Sequence, residues 1–234
     1  YPNYGYADIY KPAEVKRLRA RYAAEVTLTD RWVGHLLRSV ELMGLLENTM
    51  IVLVSDHGMY IGEHKRTGKH SVDPEDAWPI YDEVGRIPLL VYLPKAKLRR
   101  RCGALVQAAD LAPTVLDALG VRAPETEGKS VLPLMRGEAR THHPYVFTSC
   151  HSGPGPGRIQ YLPSCITVTG PRYTLVTGPE GWKPALHDRR EDSGQVRNII
   201  RRHPEIARKM QGALVDFMRR QGADEGYIQA FTSI

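Results

Sequence analysis

The sequence predicts an α/β fold: a partial, mostly parallel or mixed sheet flanked by helices, then a small antiparallel sheet with a terminal helix. One observation behind this is a long helical pattern over residues 12–44 that leads into a β-branched apolar run at residues 50–54. A helix followed by a strand is half of a βαβ unit. A second observation is the change, near residue 140, to short strand-like runs separated by turns, which is typical of an antiparallel sheet.

The first element is a helix predicted over residues 12–44. Its apolar side chains recur at steps of three and four, which is the spacing of one helical face. Pro12 suits the first turn of a helix, and Gly44 suits its end. Gly34, inside the pattern, costs about 1 kcal/mol relative to alanine. We therefore expect close packing of the helix against the sheet at Gly34.

The second element is a strand at residues 50–54 that ends in Ser-Asp-His-Gly at residues 55–58. The run is short, apolar and rich in β-branched residues, which favours a strand buried on both faces of a mostly parallel sheet. Asp56 and His57 then lie at the carboxyl end of the strand, where open α/β sheets bind ligands, and Gly58 allows a sharp turn. A carboxylate and a neutral imidazole can together hold a divalent metal. The alternative is that Asp56 caps the next turn and His57 is a solvated loop residue.

Residues 58–70 form a loop with three glycines, two further histidines and three cationic side chains. Such a loop can place Lys69 and His64 over an anion that a metal at Asp56 and His57 holds. The alternative for Lys69 is a solvated loop lysine. The polar connection that follows, residues 71–85, carries a short helical piece near its end. It is either a lid or substrate-binding loop beside the site or a loop that only covers the protein surface.

The remaining elements follow in order. A second buried strand is predicted at residues 88–93, and Asp110 caps a helix that Gly120 closes, so its role is expected to be structural. Strands at residues 145–149, 166–169 and 172–177 form the antiparallel sheet, and a final helix spans about residues 204–220. We expect two units, an α/β core with the candidate site at 1–140 and a small α+β subdomain at 141–234.

Composition excludes several classes of protein. The 234 residues are 42% apolar and 25% charged, as in ordinary soluble globular proteins. The net charge of +6 sits in local clusters that are not interleaved with aromatic residues, so no nucleic-acid partner is expected. Three scattered cysteines do not make a disulfide framework. No run approaches the roughly 20 apolar residues of a membrane span, so we expect no membrane partner; a cytoplasmic and an exported location both stay open.

The motifs around the candidate site resemble the sulfatase family of the alkaline-phosphatase-like superfamily. They are Ser-Asp-His-Gly at residues 55–58, Gly-Glu-His at 62–64, Gly-Lys at 68–69 and Arg-Ile-Pro-Leu-Leu-Val-Tyr-Leu-Pro at 86–94. Further segments match the family in the same order, so that the resemblance covers nearly the whole chain. These segments are residues 22–34, residues 110–120 with 128–134, and residues 186–192 with Asn198.

The resemblance implies a hydrolase that cleaves sulfate esters of a small molecule or a glycan with the help of a divalent metal. Asp56 and His57 match the second pair of metal ligands of the family, and Lys69 matches the lysine that binds the sulfate oxygens. His64 lies in the same loop and is a catalytic candidate without an assigned role. The expected metal is Ca²⁺, with Mg²⁺ as the alternative that the resemblance suggests; an Asp and a His would also accept Mn²⁺ or Zn²⁺.

Two parts of the family pattern are absent from this sequence. The nucleophile motif Cys-x-Pro-Ser-Arg, whose cysteine is oxidised to formylglycine, does not occur, and nothing before Asp56 matches the first metal-binding Asp pair. We therefore expect the C-terminal portion of a sulfatase-like hydrolase, inactive alone, whose partner is an N-terminal half that carries the nucleophile. The alternatives are the same portion of a phosphodiesterase or phosphonate monoester hydrolase of the superfamily, and a non-catalytic binding or structural module.

Overall fold

The computed structural model has the predicted mixed α/β class, with helices and small sheets along one chain. Among its described residues, no helix combines the length and the apolar character that crossing a membrane requires. The described residues are 5–6, 11–70, 78–94, 96, 101–122, 124–125, 127–149, 165–178 and 181–232.

Helix α1, Pro12–Leu42, is the predicted first helix, and it begins at a proline as expected. None of its residues is buried. The expected close packing at Gly34 is wrong, because a Cβ built there would meet no atom within 4 Å. The first half of α1 instead contacts the loop after the candidate site, where Arg19 Nε donates a hydrogen bond of 3.0 Å to the carbonyl of Ile61. Part of the predicted apolar stripe is nevertheless exposed, including Tyr22 at 44%, Val26 at 51% and Leu37 at 40%.

Strand β2, Ile51–Val54, and strand β5, Leu89–Tyr92, are both present where strands were predicted. They pair antiparallel with each other, so the parallel neighbour expected for β2 is not found in the described part of the chain. A parallel pairing needs a crossover, whereas the chain between these strands returns through a hairpin and a four-residue helix. Burial on both faces is also wrong, since Leu53 is 36% and Val54 40% exposed.

The loop predicted after the candidate site is a small antiparallel sheet in the order β1-β4-β3. Its strands are β1 (Gly5–Tyr6), β3 (Tyr60–Ile61) and β4 (Arg66–Gly68), with a 3-10 turn at Glu63–Lys65 between the last two. Helix α2, Asp82–Gly85, packs beside this hairpin. A buried cluster of Tyr60, Trp78, Ile80 and Val84 holds the hairpin and α2 together.

Two short helices precede the second sheet: α3, Leu111–Ala118, and α4, Leu132–Arg136. The structural role expected for Asp110 is confirmed, although its carboxylate does not cap α3. It accepts hydrogen bonds from the backbone N–H groups of Gln107, at 2.9 Å, and of Lys129, at 2.8 Å. Asp110 thus joins the segments on either side of α3.

The predicted antiparallel sheet and terminal helix are confirmed. The sheet has the order β6-β7-β8-β9 among the described residues, and its last strand, Ala185–Asp188, was not predicted as a strand. Its core lies between the sheet and two helices and includes Val168, Leu175, Leu186, Met210 and Leu214. The elements are β6 (Val146–Ser149), β7 (Ile166–Thr169), β8 (Tyr173–Thr177), β9 (Ala185–Asp188), α5 (Pro204–Arg220) and α6 (Glu225–Gln229).

Polar contacts join this sheet to the hairpin region. Arg189 Nη2 lies 2.9 Å from Asp82 Oδ2, and Thr167 Oγ1 donates a hydrogen bond of 2.7 Å to the carbonyl of Ile80. Gln195 Oε1 accepts one of 2.8 Å from the N–H of Asp82. The boundary near residue 140 stays a prediction, and these contacts attach the second sheet to α2, which borders the candidate site.

Candidate metal and oxyanion site

The candidate site begins where β2 ends, in a turn that its own side chains hold. Ser55 Oγ donates a hydrogen bond of 2.8 Å to the carbonyl of His57, and the N–H of His57 donates one of 2.9 Å to Asp56 Oδ1. Hydrogen bonds of this kind, from a side chain to backbone one or two residues away, stabilise a turn in place of regular structure. They fix the directions in which Asp56 and His57 leave the strand.

The next residue, Gly58, anchors the turn to α2. Its N–H donates to the carbonyl of Val84 at 2.8 Å, and the N–H of Met59 donates to the carbonyl of Glu83 at 2.9 Å. A Cβ on Gly58 would lie 2.0 Å from that Glu83 oxygen. Gly58 is not among the glycines with positive φ. The turn therefore requires glycine because another backbone approaches closely, and not because the bend needs a left-handed conformation as expected.

Lys69 reaches the same place from the hairpin. Strand β4 ends at Gly68, which pairs with Tyr60 of β3 and has a φ of 89° that favours glycine. The ammonium Nζ of Lys69 lies 2.7 Å from His57 Nε2. His57 Nε2 in turn lies 3.3 Å from Asp56 Oδ2. The structure thus brings together the three side chains that the sequence singled out.

The hydrogen bonds of His57 determine which ring nitrogen carries the proton. Nδ1 lies 2.8 Å from the carbonyl oxygen of Gly58, which can only accept, so Nδ1 is the donor. Nε2 faces the Lys69 ammonium, which can only donate, so Nε2 is an acceptor. In the neutral ring this arrangement leaves a lone pair on Nε2 that is directed toward the convergence point, as a metal ligand requires.

Asp56 supplies the negative charge of the site. Its side chain is 81% exposed. The N–H of His57, hydrogen-bonded to the carboxylate, holds the pKa of Asp56 below its usual value, and the nearby Lys69 ammonium adds to the effect. Asp56 is thus anionic at neutral pH and open to solvent on one side, as a ligand to a hard divalent cation must be.

His64 lies apart from these three residues. Its ring stacks on Tyr81 at a centroid distance of 3.9 Å, and its Nε2 lies 3.3 Å from Glu83 Oε2 without a hydrogen bond. Its φ of 51° is a left-handed conformation that is costly for a residue with a Cβ. His64 makes no hydrogen bond, ion pair or ring contact with Asp56, His57 or Lys69. Its catalytic role stays a prediction.

Two family models match this chain and overlap along it. Residues 2–121 match the model described as Sulfatase, and residues 75–220 match the one described as N-sulphoglucosamine sulphohydrolase, C-terminal. The first contains all of Asp56, His57, His64 and Lys69. Each covers more than half of the chain.

This chain belongs to the sulfatase family. Arylsulfatase K of Bos taurus is 26% identical over 209 residues, which are 86% of this chain and 36% of that protein. N-acetylglucosamine-6-O-sulfatase of Bacteroides thetaiotaomicron is 34% identical over 142 residues, which are 56% of this chain and 24% of that protein. This sulfatase-family chain therefore spans about a third or less of the length of these curated relatives.

Two solved structures share the fold of this sulfatase-family chain. The structure of a 2-O GAG sulfatase superposes with a TM-score of 0.77 at 24% identity, over 96% of this chain and 50% of that one. The phosphonate monoester hydrolase SpPMH from Silicibacter pomeroyi superposes with a TM-score of 0.74 at 24% identity, over 88% of this chain and 42% of that one. At this level of identity, both comparisons bear on the fold alone.

The sulfatase-family chain also contains a cluster that sequence reasoning missed. Asp110, His142 and His143 have ligand atoms that all lie within 4.8 Å of one another, and they are the group of this kind among the described residues. Asp110 was singled out as a structural residue and the His-His pair was passed over. The available signal was two adjacent histidines just before a predicted strand, but nothing local connects them to a carboxylate 32 residues earlier.

Proposed function

We propose that this chain supplies two metal ligands and the oxyanion-binding cation of a sulfatase that hydrolyses sulfate esters. The observation that carries the proposal is the convergence of Asp56, His57 and Lys69, with Lys69 Nζ at 2.7 Å and Asp56 Oδ2 at 3.3 Å from His57 Nε2. A sulfate ester needs both a cation beside its oxygens and a second positive charge for the group in transfer. The three side chains can meet both needs.

Asp56 and His57 fit a divalent cation by the chemistry of their donor atoms. The carboxylate is an exposed, anionic oxygen ligand, and the ring presents the lone pair of Nε2. Ca²⁺ is the metal that the family resemblance favours, and Mg²⁺ and Mn²⁺ also accept this pair of ligands. When bound, such a cation would polarise a non-bridging oxygen of the sulfate group.

The ammonium of Lys69 lies on the side of His57 Nε2 where a metal would bind. Its ammonium donates to the same Nε2 lone pair that would bind the cation. The flexible four-carbon stem of lysine allows the ammonium to turn away from the ring and toward the oxygens of a bound sulfate group. We infer that Lys69 holds the ring in place in the free protein and contacts the substrate when metal and substrate are bound.

A complete active site needs residues beyond these three. We propose that an N-terminal part of the same protein supplies the formylglycine nucleophile and the remaining metal ligands, and that this chain alone is inactive. Support comes from the share of the relatives that it covers, 36% for arylsulfatase K of Bos taurus. The similarity to an N-acetylglucosamine-6-O-sulfatase favours a sulfated glycan as the substrate.

A phosphonate monoester hydrolase or phosphodiesterase is the second candidate. The observation that favours it is the TM-score of 0.74 with the phosphonate monoester hydrolase of Silicibacter pomeroyi. The same metal and lysine suit a phosphoryl group, whose transfer also spreads charge over its oxygens. A non-catalytic module is a third candidate, favoured by the absence of the nucleophile motif from this sequence.

Hydrolysis of matched substrates separates these candidates. The chain, extended by the reading frame upstream of Tyr1, is assayed on an aryl sulfate and on the corresponding aryl phosphonate monoester. We expect sulfate ester hydrolysis that falls by about 10²-fold or more in Lys69→Ala, because one charge-stabilising group is lost. Preference for the phosphonate ester would favour the second candidate. No hydrolysis of either ester, in an extended protein that carries the Cys-or-Ser-x-Pro-Ser-Arg motif, would overturn the proposal.

A further inference from the structure

A second cluster of metal-ligating side chains lies where two distant segments of the chain meet. Asp110 stands just before α3, and His142 and His143 stand just before β6. A β-bridge between Leu105 and His143 brings the segments together. This cluster shares no residue with the Asp56 site and does not depend on the proposed function.

The Nε2 atoms of both histidines point at the carboxylate of Asp110. His143 Nε2 lies 2.9 Å from Asp110 Oδ1 and 3.0 Å from Oδ2, and His142 Nε2 lies 3.4 Å from Oδ2. The two rings are 4.5 Å apart between centroids and nearly perpendicular, with an angle of 76°. Ligands about 2.0–2.1 Å from a tetrahedral metal lie on the order of 3.3 Å from one another. The shortest distances from the two Nε2 atoms to the carboxylate, 2.9 and 3.4 Å, lie on either side of this value, and the ligand atoms are all within 4.8 Å of one another.

One member of the cluster lacks the hydrogen bond that its burial demands. The side chain of His142 is 8% exposed, and its Nε2 is a buried nitrogen without a hydrogen-bond partner. Buried polar atoms in folded proteins are nearly always paired, so an unpaired one calls for an explanation such as an ion. The Nε2 atom is directed into the cluster, within 3.4 Å of the carboxylate.

Backbone hydrogen bonds fix the orientation of the Asp110 carboxylate. Asp110 is fully buried, and its two oxygens accept backbone N–H groups from Gln107, at 2.9 Å, and Lys129, at 2.8 Å. Hydrogen bonds of this kind orient a ligating carboxylate in metal sites. With its oxygens so fixed, Asp110 can present a stable position to an ion between the two rings.

We propose that Asp110, His142 and His143 bind one transition-metal ion, of which Zn²⁺ fits best. Two imidazole nitrogens and one carboxylate oxygen are a common ligand set for Zn²⁺, whereas a site in which nitrogen ligands outnumber oxygen ligands suits Ca²⁺ and Mg²⁺ less well. The bound ion joins the segment before α3 to the segment before β6. It therefore acts as a clip between the first part of the chain and the four-stranded sheet.

The competing explanation is an ordinary His–Asp hydrogen bond. In that arrangement His143 Nε2 donates to Asp110, and His142 packs beside it without a role. The two explanations differ in the effect of His142. A change at His142 weakens metal binding if the three residues form a site, and it leaves metal binding as it was if they do not.

The test is titration of the metal-free chain with Zn²⁺ alone, and with Co²⁺ as a spectroscopic probe, in the His57→Gln background. That background removes a ligand of the Asp56 site, so the outcome is independent of the proposed function. We expect the chain to bind one equivalent of Zn²⁺ at micromolar affinity or tighter. We expect Co²⁺ to give a visible absorption spectrum typical of a low coordination number with nitrogen and oxygen ligands. His142→Gln should weaken Zn²⁺ binding by about tenfold or more.

Control variants keep the test decisive. His35→Gln changes an exposed histidine on α1 and should bind Zn²⁺ as the background does. His143→Gln serves as a second ligand variant if circular dichroism shows that His142→Gln does not fold. Absence of Zn²⁺ binding in the background, or equal binding in a folded His142→Gln or His143→Gln variant, would overturn the proposal. Zn²⁺ should also raise the melting temperature of the background, because it binds only the folded chain.

Discussion

The ring of His57 is held in an orientation that suits two partners of Nε2, the Lys69 ammonium and a metal ion. The carbonyl of Gly58 accepts the proton on Nδ1, which leaves Nε2 free to accept from Lys69 or to bind a metal. The orientation of the ring depends on a backbone carbonyl of the turn, so it does not require a further side chain. A ring held in this way can exchange the Lys69 ammonium for a cation without changing its tautomer.

The burial of His187 makes the stability of the folded state depend on pH. The side chain is 4% exposed, with Nδ1 3.0 Å from the carbonyl of Arg197 and 3.8 Å from Asp192 Oδ2. Burial lowers the pKa of His187 below the usual 6.5; Arg197 and Asp192 oppose this, and the charge of His64 adds to it. The folded state therefore prefers the neutral ring. The stability that follows is fully present above pH 6.5 and is lost as the pH falls below it.

We expect the urea midpoint of unfolding to fall between pH 7.5 and pH 5.5, and to fall less in His187→Gln. Glutamine can still donate to the carbonyl of Arg197 but does not titrate. The exposed residue His35 provides the control, since His35→Gln should keep the full dependence on pH. An unchanged pH dependence in His187→Gln would show that other groups are responsible.

Residues of the candidate site could be predicted from the sequence only where their neighbours along the chain define them. Asp56 and His57 follow a strand, and Lys69 follows the glycine that ends a hairpin, so local pattern and family motif were sufficient. The aromatic packing of His64 against Tyr81 was not predictable, because it joins residues 17 apart through a turn of unusual backbone. The Asp110 cluster was missed for the same reason, since its members meet through tertiary structure.

At the level of elements, the turn after β2 is positioned by its contact with α2. The carbonyl of Glu83 approaches Gly58 so closely that no Cβ fits. We expect Gly58→Ala to lower the free energy of unfolding by about 1–3 kcal/mol, the usual range for overpacking. It should also displace Asp56 and His57. Urea unfolding followed by circular dichroism measures the first effect.

Gly34 provides the matched control for that substitution. It lies inside α1 with no atom within 4 Å of a built Cβ. Gly34→Ala should therefore stabilise the helix by up to about 1 kcal/mol, the difference in helix propensity. Equal stability of Gly58→Ala and the unmodified chain would contradict the proposed contact with α2.

The direction of strand pairing shows what pattern alone does not reveal about elements. The apolar run at β2 and the run at β5 were both recognised as strands, because their composition is specific. Their antiparallel pairing was not predicted, since an apolar run is equally compatible with either direction when both faces are expected to be buried. The direction of pairing is a property of the tertiary structure, which a local pattern does not encode.

At the scale of the whole molecule, large apolar side chains are exposed on α1 and on the two-stranded sheet. On one face of that sheet, Leu53 and Leu90 form a cross-strand pair and are 36% and 60% exposed. On α1, Trp32 is 63% and Leu36 60% exposed. Apolar surfaces of this kind commonly mark interaction sites. If an N-terminal part completes the protein, as proposed above, we expect that part to cover these side chains.

Two leucines test this proposal. Leu90→Ser should change the stability of the isolated chain by less than about 0.5 kcal/mol, as expected for a surface position. Leu186→Ala, in the fully buried core of the second sheet, should cost about 2–5 kcal/mol. In the chain extended upstream of Tyr1, Leu90→Ser should become clearly destabilising. Equal costs of Leu90→Ser in the two lengths of chain would contradict a covering segment.

The most direct test of the Asp56, His57 and Lys69 site is calorimetric titration with Mn²⁺ of the chain that carries His142→Gln, which removes the second cluster. We expect one weakly bound Mn²⁺ whose binding is lost in Asp56→Ala. Lys69→Ala should bind Mn²⁺ severalfold more tightly, because a competing positive charge beside His57 is removed. Mn²⁺ binding that is the same in Asp56→Ala and in its parent would contradict the metal site at the end of β2.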